Sequence, residues 1–210
     1  KLGALEAERS QLLADLGTDA AALSAARRSV AQSLAKRVTS ELRPLGMSKA
    51  VFEVALGEGD LGPYGRDELS FRFSANLGEP PALLAEVASG GELSRLMLAL
   101  NVVTGSDVPI LAFDEVDAGI GGKTARSVGA LLKRLAASHQ VLVVTHLPQV
   151  AAFADAQFYV EKEEQEGRTV TRVRRLSPPE RELELARMLS GTASEAAVAN
   201  ARELLAEAAA

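Results

Sequence analysis

Three polar segments near the middle of the chain have residue types suited to phosphate chemistry. The first is Ser89-Gly90-Gly91-Glu92, which leads into an apolar helix. Glycines at the start of a helix let backbone N–H groups approach an anion closely, and the helix dipole favours negative charge there. Ser89 and Glu92 also fit an ordinary capping box, which satisfies the end of a helix without binding any ligand. Taken alone, the segment favours the capping box.

The second segment is Asp114-Glu115, directly after the apolar strand Pro109–Phe113. Ligands of open α/β sheets bind beyond the carboxyl ends of the strands. Asp114 is therefore placed to hold Mg²⁺, through a water molecule, and Glu115 to orient and deprotonate an attacking water. A buried strand that ends in a solvated acidic loop would show the same pattern, so the pair alone is weak evidence.

The third segment is Thr145-His146, at the end of a second apolar strand, Val141–Val144. An imidazole at this point can sense a γ-phosphate or position a water molecule. By itself, a histidine after a strand is more simply a surface residue. The order of the three segments is more informative than any one of them, because it resembles the order found in ABC-type ATPases.

The elements around these segments alternate between helices and continuous apolar strands. This alternation predicts an α/β fold with a mostly parallel sheet covered on both faces by helices, two of them at Glu92–Val103 and Lys123–Ala137. Gly191 is expected to end a later helix, and Thr192 with Glu195 to cap the next. The later strands and helices are expected near Gln157–Glu161, Thr169–Arg174, Pro179–Leu189 and Ser194–Ala208.

The first part of the chain, from Lys1 to about Arg43, predicts a long helix that Pro44 and Gly46 end. At about 1.5 Å per residue it would extend roughly 60 Å. Gly17-Thr18 leaves a second interpretation open, in which a stop and a cap divide the segment into two core helices. The apolar residues fall near a heptad seam and then continue at helical spacing: Leu2, Leu5, Leu12, Leu16, Leu23, Val30, Leu34, Val38 and Leu42.

Two alternating segments follow this helix, Ala50–Leu56 and Leu69–Ala75. They predict a pair of strands joined by a long loop, Glu58–Asp67, which is rich in Gly, Pro and Asp. We therefore divide the chain into a helical arm, residues 1–43, and a lobe, residues 44–210.

The chain resembles the C-terminal head segment of the RecN family, which is related to the SMC proteins. The resemblance runs from about Leu42 to the C-terminus, and the preceding helix fits the returning arm of the family's coiled coil. Asp117-Ala118-Gly119 follows Glu115 where ABC-type ATPases have their D-loop. Four stretches carry the resemblance: Val87-Ala88-Ser89-Gly90-Gly91-Glu92-Leu93-Ser94-Arg95, Phe113-Asp114-Glu115-Val116-Asp117-Ala118-Gly119-Ile120-Gly121-Gly122, Val144-Thr145-His146-Leu147-Pro148-Gln149-Val150-Ala151 and Met188-Leu189-Ser190-Gly191.

This resemblance implies a role in the recombinational repair of DNA double-strand breaks. It also implies an ATPase head that is assembled from both ends of one chain, and two such heads that enclose two ATP molecules. The partners implied are therefore the N-terminal half of the same protein, a second head in a homodimer, and DNA. The cofactors implied are ATP and Mg²⁺, and the localisation implied is cytoplasmic, at the nucleoid.

The resemblance also implies a role for each segment. The signature residues Ser89, Gly90, Gly91 and Glu92 would act on the nucleotide of the opposite head, with the first three at its γ-phosphate. Asp114 would serve Mg²⁺, Glu115 would be the catalytic base and His146 the switch histidine. Asp117 would couple the two sites across the dimer.

A phosphate-binding P-loop, G-x-x-x-x-G-K-[ST], is not found in the sequence. Gly122-Lys123-Thr124 matches the last three residues of the motif. The motif requires its first glycine at position 117, however, where the sequence has Asp117, and the preceding stretch is acidic. Lys123 is better explained as the start of a helix. We therefore expect an incomplete ATPase, which is inactive alone and depends on an N-terminal half that carries the P-loop.

Composition bears on DNA binding, membrane insertion, secretion and metal sites. The net charge of −5 gives no argument for a DNA-binding face, so DNA enters through the resemblance alone. No apolar run approaches the length of about 18 residues that a membrane span needs, and no secretory signal opens the chain. The absence of cysteine excludes disulfides and thiolate metal sites. The first residue is not Met, which fits a fragment.

Two alternatives stay open. An ABC subunit of a transporter would carry its P-loop upstream of the signature in the same short chain, where this sequence has a helix and two strands. A non-catalytic coiled-coil scaffold would have no need of Asp114, Glu115 or His146.

Overall fold

The computed structural model describes residues 1–87, 89–105, 107–165 and 168–209. The chain divides into two compact units. The first contains Lys1–Arg43 and Met47–Ala88, and the second contains Pro44–Gly46 and Ser89–Ala210. The segment with the predicted strands therefore groups with the N-terminal helix. The division into an arm and a lobe at residues 43 and 44 stays a prediction.

Helix α1 is one continuous helix of 41 residues, Leu2–Leu42. This confirms the long helix, and the expected stop at Gly17 is wrong. The Thr18 hydroxyl donates to the carbonyl of Ala14 at 3.1 Å, inside the helix, and does not cap a new one. A single glycine costs a helix about 1 kcal/mol relative to alanine, which the flanking helix formers offset. Among the described residues, neither α1 nor any other helix has the length and hydropathy to cross a membrane.

The two halves of α1 differ in burial. Residues 2–16 are exposed throughout, including Leu2, Leu5 and Leu16. Beyond them a buried stripe packs on the strands of the same unit, and Arg27 contacts Asp67 there at 2.8 Å. The stripe consists of Ala20, Ser24, Ala31, Val38 and Leu42.

Strands β1 (Val51–Gly62) and β2 (Gly65–Ser74) form an antiparallel hairpin, and β3 (Ala82–Leu83) pairs with β2. The expected strands are confirmed, but the expected loop between them is wrong, since Glu58 pairs with Asp67 and Gly62 with Gly65. This end of the hairpin is polar and largely exposed. Its strands therefore have no apolar alternation that the sequence could reveal.

The second unit contains the α/β region. Its elements are α2 (Gly90–Thr104), β4 (Ile110–Phe113), α3 (Gly122–Leu135), β5 (Gln140–Val143) and the short α4 (Pro148–Ala151). Strands β4 and β5 are parallel, with Ile110 opposite Gln140 and Phe113 opposite Val143. This confirms an α/β fold with a parallel sheet flanked by helices. Lys123 lies in the first turn of α3, as expected.

One face of this sheet is open within the described residues. Ile110, Leu142 and Val144 are each more than half exposed, at 51%, 53% and 68%. Parallel sheets are normally covered on both faces. The expectation of two covered faces is therefore not met by the part of the chain that the structure describes.

The last four elements are β6 (Phe158–Gln165), β7 (Arg168–Arg175), α5 (Pro178–Ser190) and α6 (Glu195–Ala209). The two strands form an antiparallel hairpin. Gly191 ends α5 in the left-handed conformation, with φ of 79°, as expected. The expected cap of α6 by Thr192 and Glu195 is wrong, because the Ser194 hydroxyl accepts the bond from Ala197 N at 3.3 Å.

Candidate functional site

All the predicted site residues lie in the second unit, at the carboxyl ends of β4 and β5 and at the start of α2. Residues 114–118, which we call the acidic turn, follow β4 directly. Ala118 N donates to Glu115 O at 3.0 Å and closes the turn. The structure therefore brings together three segments that are separated by about 20 to 30 residues in the sequence.

Glu115 has an unusual backbone conformation. Its φ is +57°, the one positive value among the described non-glycine residues. This left-handed conformation is rare for a residue with a side chain and costs roughly 1–2 kcal/mol. The carboxylate of Asp114 accepts a hydrogen bond from Glu115 N at 2.9 Å, which helps to hold the conformation. The result is that the Glu115 carboxylate lies against Gly90 at the start of α2.

The start of α2 is capped by a side chain, and it also lies very close to the acidic turn. Glu92 N donates to the Ser89 hydroxyl at 3.4 Å, which confirms the half of the expected capping box that Ser89 supplies. Space explains Gly91, because a Cβ there would lie 2.9 Å from Ala118 Cβ and 3.1 Å from Glu115 O. A Cβ on Gly90 would displace the Glu115 carboxylate from its position against the helix. Ala88, which precedes Ser89 in the matching stretch, lies outside the described residues.

Two side chains of α2 bind the acidic turn directly. The Ser94 hydroxyl donates to Asp114 O at 2.6 Å. Arg95 Nη1 donates to Ala118 O at 2.8 Å and to Val116 O at 3.4 Å. Burial lowers the pKa of Arg95 below its ordinary value, while the negative charges of Glu92 and Asp117 act in the opposite direction. The helix that carries Ser89 is therefore joined to the loop that carries Glu115.

Asp117 is buried, with 3% of its surface exposed, and it binds the end of β5. Its Oδ2 accepts hydrogen bonds from the Thr145 hydroxyl and from His146 N, the latter at 3.0 Å. The Nδ1 atom of His146 lies 3.3 Å from the same oxygen, while 73% of the His146 side chain is exposed. Asp117 thus fixes one edge of the imidazole and leaves the rest of the ring open. The predicted role of Asp117 across a dimer stays a prediction.

Asp114 is the residue predicted to serve Mg²⁺. No cluster of three or more His, Cys, Asp or Glu suited to a metal ion occurs in the described part of the chain. Mg²⁺ is commonly held by one or two carboxylates together with water and nucleotide phosphates. Asp114 is exposed at the end of β4 and fits that donor set, provided that the nucleotide supplies the remaining oxygens.

Three residues of this site had no role from the sequence: Ser94, Arg95 and Thr145. A signal existed for Arg95, which is four residues from the buried Gly91 and Ala99 and so lies on the buried face of α2. A charge on such a face requires a partner. The sequence does not show that the partners are backbone carbonyls of the acidic turn.

Curated relatives decide the family. The chain is 51% identical over 205 residues to the "DNA repair protein RecN" of Deinococcus radiodurans, an alignment that covers 97% of this chain and 36% of that protein. It is 47% identical over 215 residues to the "DNA repair protein RecN" of Streptomyces coelicolor, covering 95% and 38%. The chain belongs to the RecN family. It spans little more than a third of the length of these RecN relatives.

The solved structures bear on the fold. A structure described as the Smc head domain with a coiled coil and joint, from Pyrococcus yayanosii, has a TM-score of 0.53 and 20% identity, covering 76% of this chain and 29% of that one. At this identity the likeness shows a shared fold and no more. No family model matches the chain.

Proposed function

We propose that the chain is the C-terminal part of an ATP-hydrolysing head that acts in DNA repair in a RecN-type protein. One observation carries the proposal most. The Glu115 carboxylate is held in a left-handed backbone conformation against the paired glycines that begin α2, at the carboxyl ends of two parallel strands. Strain of this kind is concentrated at functional sites.

The residue roles follow from this arrangement. Glu115 acts as the general base that orients and deprotonates the attacking water. His146 has its Nδ1 edge beside Asp117 and an exposed ring, so it can contact the phosphate or the water. Asp114 holds Mg²⁺, which when bound neutralises phosphate charge. The start of α2, Ser89 to Glu92, lies at the nucleotide of a second head, to which Gly90 and Gly91 offer backbone N–H groups, since Glu92 N donates to the Ser89 hydroxyl.

The proposal requires an N-terminal half that carries the P-loop. Two surfaces support it. The open face of the sheet, with Ile110, Leu142 and Val144, is apolar. An apolar face of a parallel sheet is normally buried against other elements of the protein. The exposed leucines of the first half of α1 fit a partner helix of a coiled coil. The partner for both is the part of the RecN-type protein that lies outside this chain.

DNA is a partner of the ATPase, and the cytoplasm, at the nucleoid, is where the protein acts. The name of the RecN relatives supports the role of DNA, while the location rests on the family resemblance alone. The net charge of −5 supplies no independent argument for DNA.

Reconstitution tests the proposal. We expect the chain alone to hydrolyse ATP negligibly, and a complex with an N-terminal half to hydrolyse it in the presence of Mg²⁺. Glu115→Gln should lower the kcat of the complex by at least about a hundredfold, the lower range for a general base. Asp155→Asn, the same type of change at an exposed carboxylate on the surface, should leave kcat unchanged.

A complex in which Glu115→Gln hydrolyses ATP as fast as the unmodified protein would contradict the mechanism. Normal repair of double-strand breaks in cells that carry Glu115→Gln would favour the scaffold. Co-purification of the whole protein with a membrane protein would favour the transporter subunit.

A further inference from the structure

Arg95 joins α2 to the acidic turn at two points. Its guanidinium donates to the carbonyls of Val116 and Ala118, on either side of Asp117. Ser94 adds a bond to Asp114 O, at the other end of the turn. The carbonyl oxygens of the turn are therefore held by two adjacent residues of one helix.

Arg95 is an unusual residue to bury. It is 6% exposed, and its Nε atom is buried without a hydrogen-bond partner among the described residues. Burying a charged group is unfavourable unless its donors are paired. An apolar residue would fill the position at lower cost, so stability alone is a poor explanation for an arginine there. Both bonds come from one nitrogen, Nη1, at the end of a side chain long enough to reach from α2 to two carbonyls of the turn.

The contacts continue from the turn to the histidine. Asp117, which lies between the two carbonyls, accepts bonds from the Thr145 hydroxyl and from His146 N. Glu115 precedes the same carbonyls, and its carboxylate lies against Gly90. One continuous set of contacts thus joins the start of α2, the acidic turn and His146 within one head.

We propose that Arg95 is a positioning residue that couples the two ATP sites of a head dimer. The inference rests on the proposed function, in which the start of α2 contacts the nucleotide of the opposite head. A helix of 15 residues, capped by Ser89, moves as a rigid element over the short distance from its start to Arg95. A displacement of α2 by that nucleotide is transmitted through Arg95 to the acidic turn, and so sets Glu115 and His146 for the ATP of the head's own site.

The test uses the full protein that contains this chain, with Arg95→Lys as the variant. Lysine keeps the charge, but its terminal nitrogen lies one atom closer to the backbone than Nη1 of arginine, so it falls short of the position that donates to both carbonyls. We expect kcat for ATP hydrolysis to fall at least about tenfold with the KM for ATP within about twofold, the pattern of a lost contribution to the reacting state. We also expect the Hill coefficient for ATP to fall from above 1 to about 1.

Two further variants keep the test decisive. Arg187→Lys makes the same change at an exposed ion pair with Glu184 on α5, and should leave kcat and the Hill coefficient unchanged. Ser94→Ala removes one bond to the turn at a partly exposed position. It should lower kcat and the Hill coefficient in the same direction as Arg95→Lys, by less, and it replaces Arg95→Lys if that variant fails to fold.

Different experimental results would contradict the coupling role of Arg95 and the proposed function. If Glu115→Gln is inactive while Arg95→Lys and Ser94→Ala keep the kcat and the Hill coefficient of the unmodified protein, the coupling role is overturned and the ATPase stands. An unmodified protein with a Hill coefficient of 1 also overturns the coupling. If Glu115→Gln is fully active, the proposed function itself fails.

Discussion

At the scale of single residues, Asp117 is the most constrained group of the site. A buried carboxylate is unfavourable unless its oxygens accept hydrogen bonds, and here one oxygen accepts two and lies beside His146 Nδ1. The bonds hold the acidic turn of β4 to the residues that follow β5. Asp117 therefore has a structural role within the second unit.

Removal of this carboxylate should destabilise the protein. Asp117→Ala leaves His146 N without this acceptor and the Thr145 hydroxyl with only Leu147 O at 3.5 Å. We expect this loss to lower the free energy of unfolding by about 1–3 kcal/mol. The free energy of unfolding is measured by denaturant unfolding, monitored by circular dichroism. Asp155→Ala is the matched control, because the Asp155 side chain is 77% exposed, and its effect should stay within about 0.5 kcal/mol. Equal effects of the two variants would show that the bonds of Asp117 contribute nothing.

The sequence could place the candidate residues but not the contacts that hold them. The positions of Glu115, Asp114 and His146 at strand ends were predictable because a strand end is visible as an apolar run followed by a polar residue. The left-handed backbone of Glu115 and the bonds of Arg95 were not, because they depend on carbonyl positions that arise when α2 packs on the acidic turn.

At the scale of elements, the sequence again predicted some features and not others. Apolar periodicity predicted the helices and the buried strands. It did not predict the exposed half of the β1–β2 hairpin or the continuation of α1 through Gly17. The sequence also contains a capping box that was not predicted, formed by Ser177 and Glu180 at the start of α5. Ser177 N and the Ser177 hydroxyl both donate to the Glu180 carboxylate, at 2.8 and 2.6 Å, and Arg174 of β7 contacts it at 2.7 Å.

This capping arrangement predicts a pH dependence. The bonds from Ser177, then the contact of Arg174, lower the pKa of Glu180 from 4.5 to about 2. A carboxylate with a depressed pKa stabilises the folded state above its unfolded pKa, and that contribution is lost as the pH falls through the folded value. Glu180→Gln should therefore lower the Tm near neutral pH, and the difference from the unmodified protein should shrink as the pH falls from about 4.5 towards 2.

Thermal unfolding of both proteins over this pH range measures the difference. Glu203→Gln, the same change on the exposed side of α6, serves as the control for a general effect of removing a negative charge. A Tm difference between Glu180→Gln and the unmodified protein that does not change with pH would contradict the assigned role of the ionised carboxylate.

At the scale of the whole molecule, the described chain leaves apolar surface uncovered in each unit. In the first unit these are the leucines of the first half of α1, and in the second they are Ile110, Leu142 and Val144 on the sheet. Exposed apolar residues scattered singly are normal, but a contiguous apolar face on a parallel sheet is not. The chain also spans only 36% of its relative from Deinococcus radiodurans. The uncovered sheet face is therefore where the rest of the protein is expected to pack.

Two valines allow a matched test of this packing. Val144 follows β5 on the open sheet face and Val173 lies on β7, and they are 68% and 63% exposed in the described chain. Val→Thr keeps the shape and adds a hydroxyl, which costs about 1–3 kcal/mol if it is buried without a partner and little if it remains in water. In the full protein we expect Val144→Thr to lower the free energy of unfolding by that amount and Val173→Thr to leave it within about 0.5 kcal/mol. In the isolated chain both should be neutral, and an equal response of the two valines in the full protein would show that the sheet face stays open.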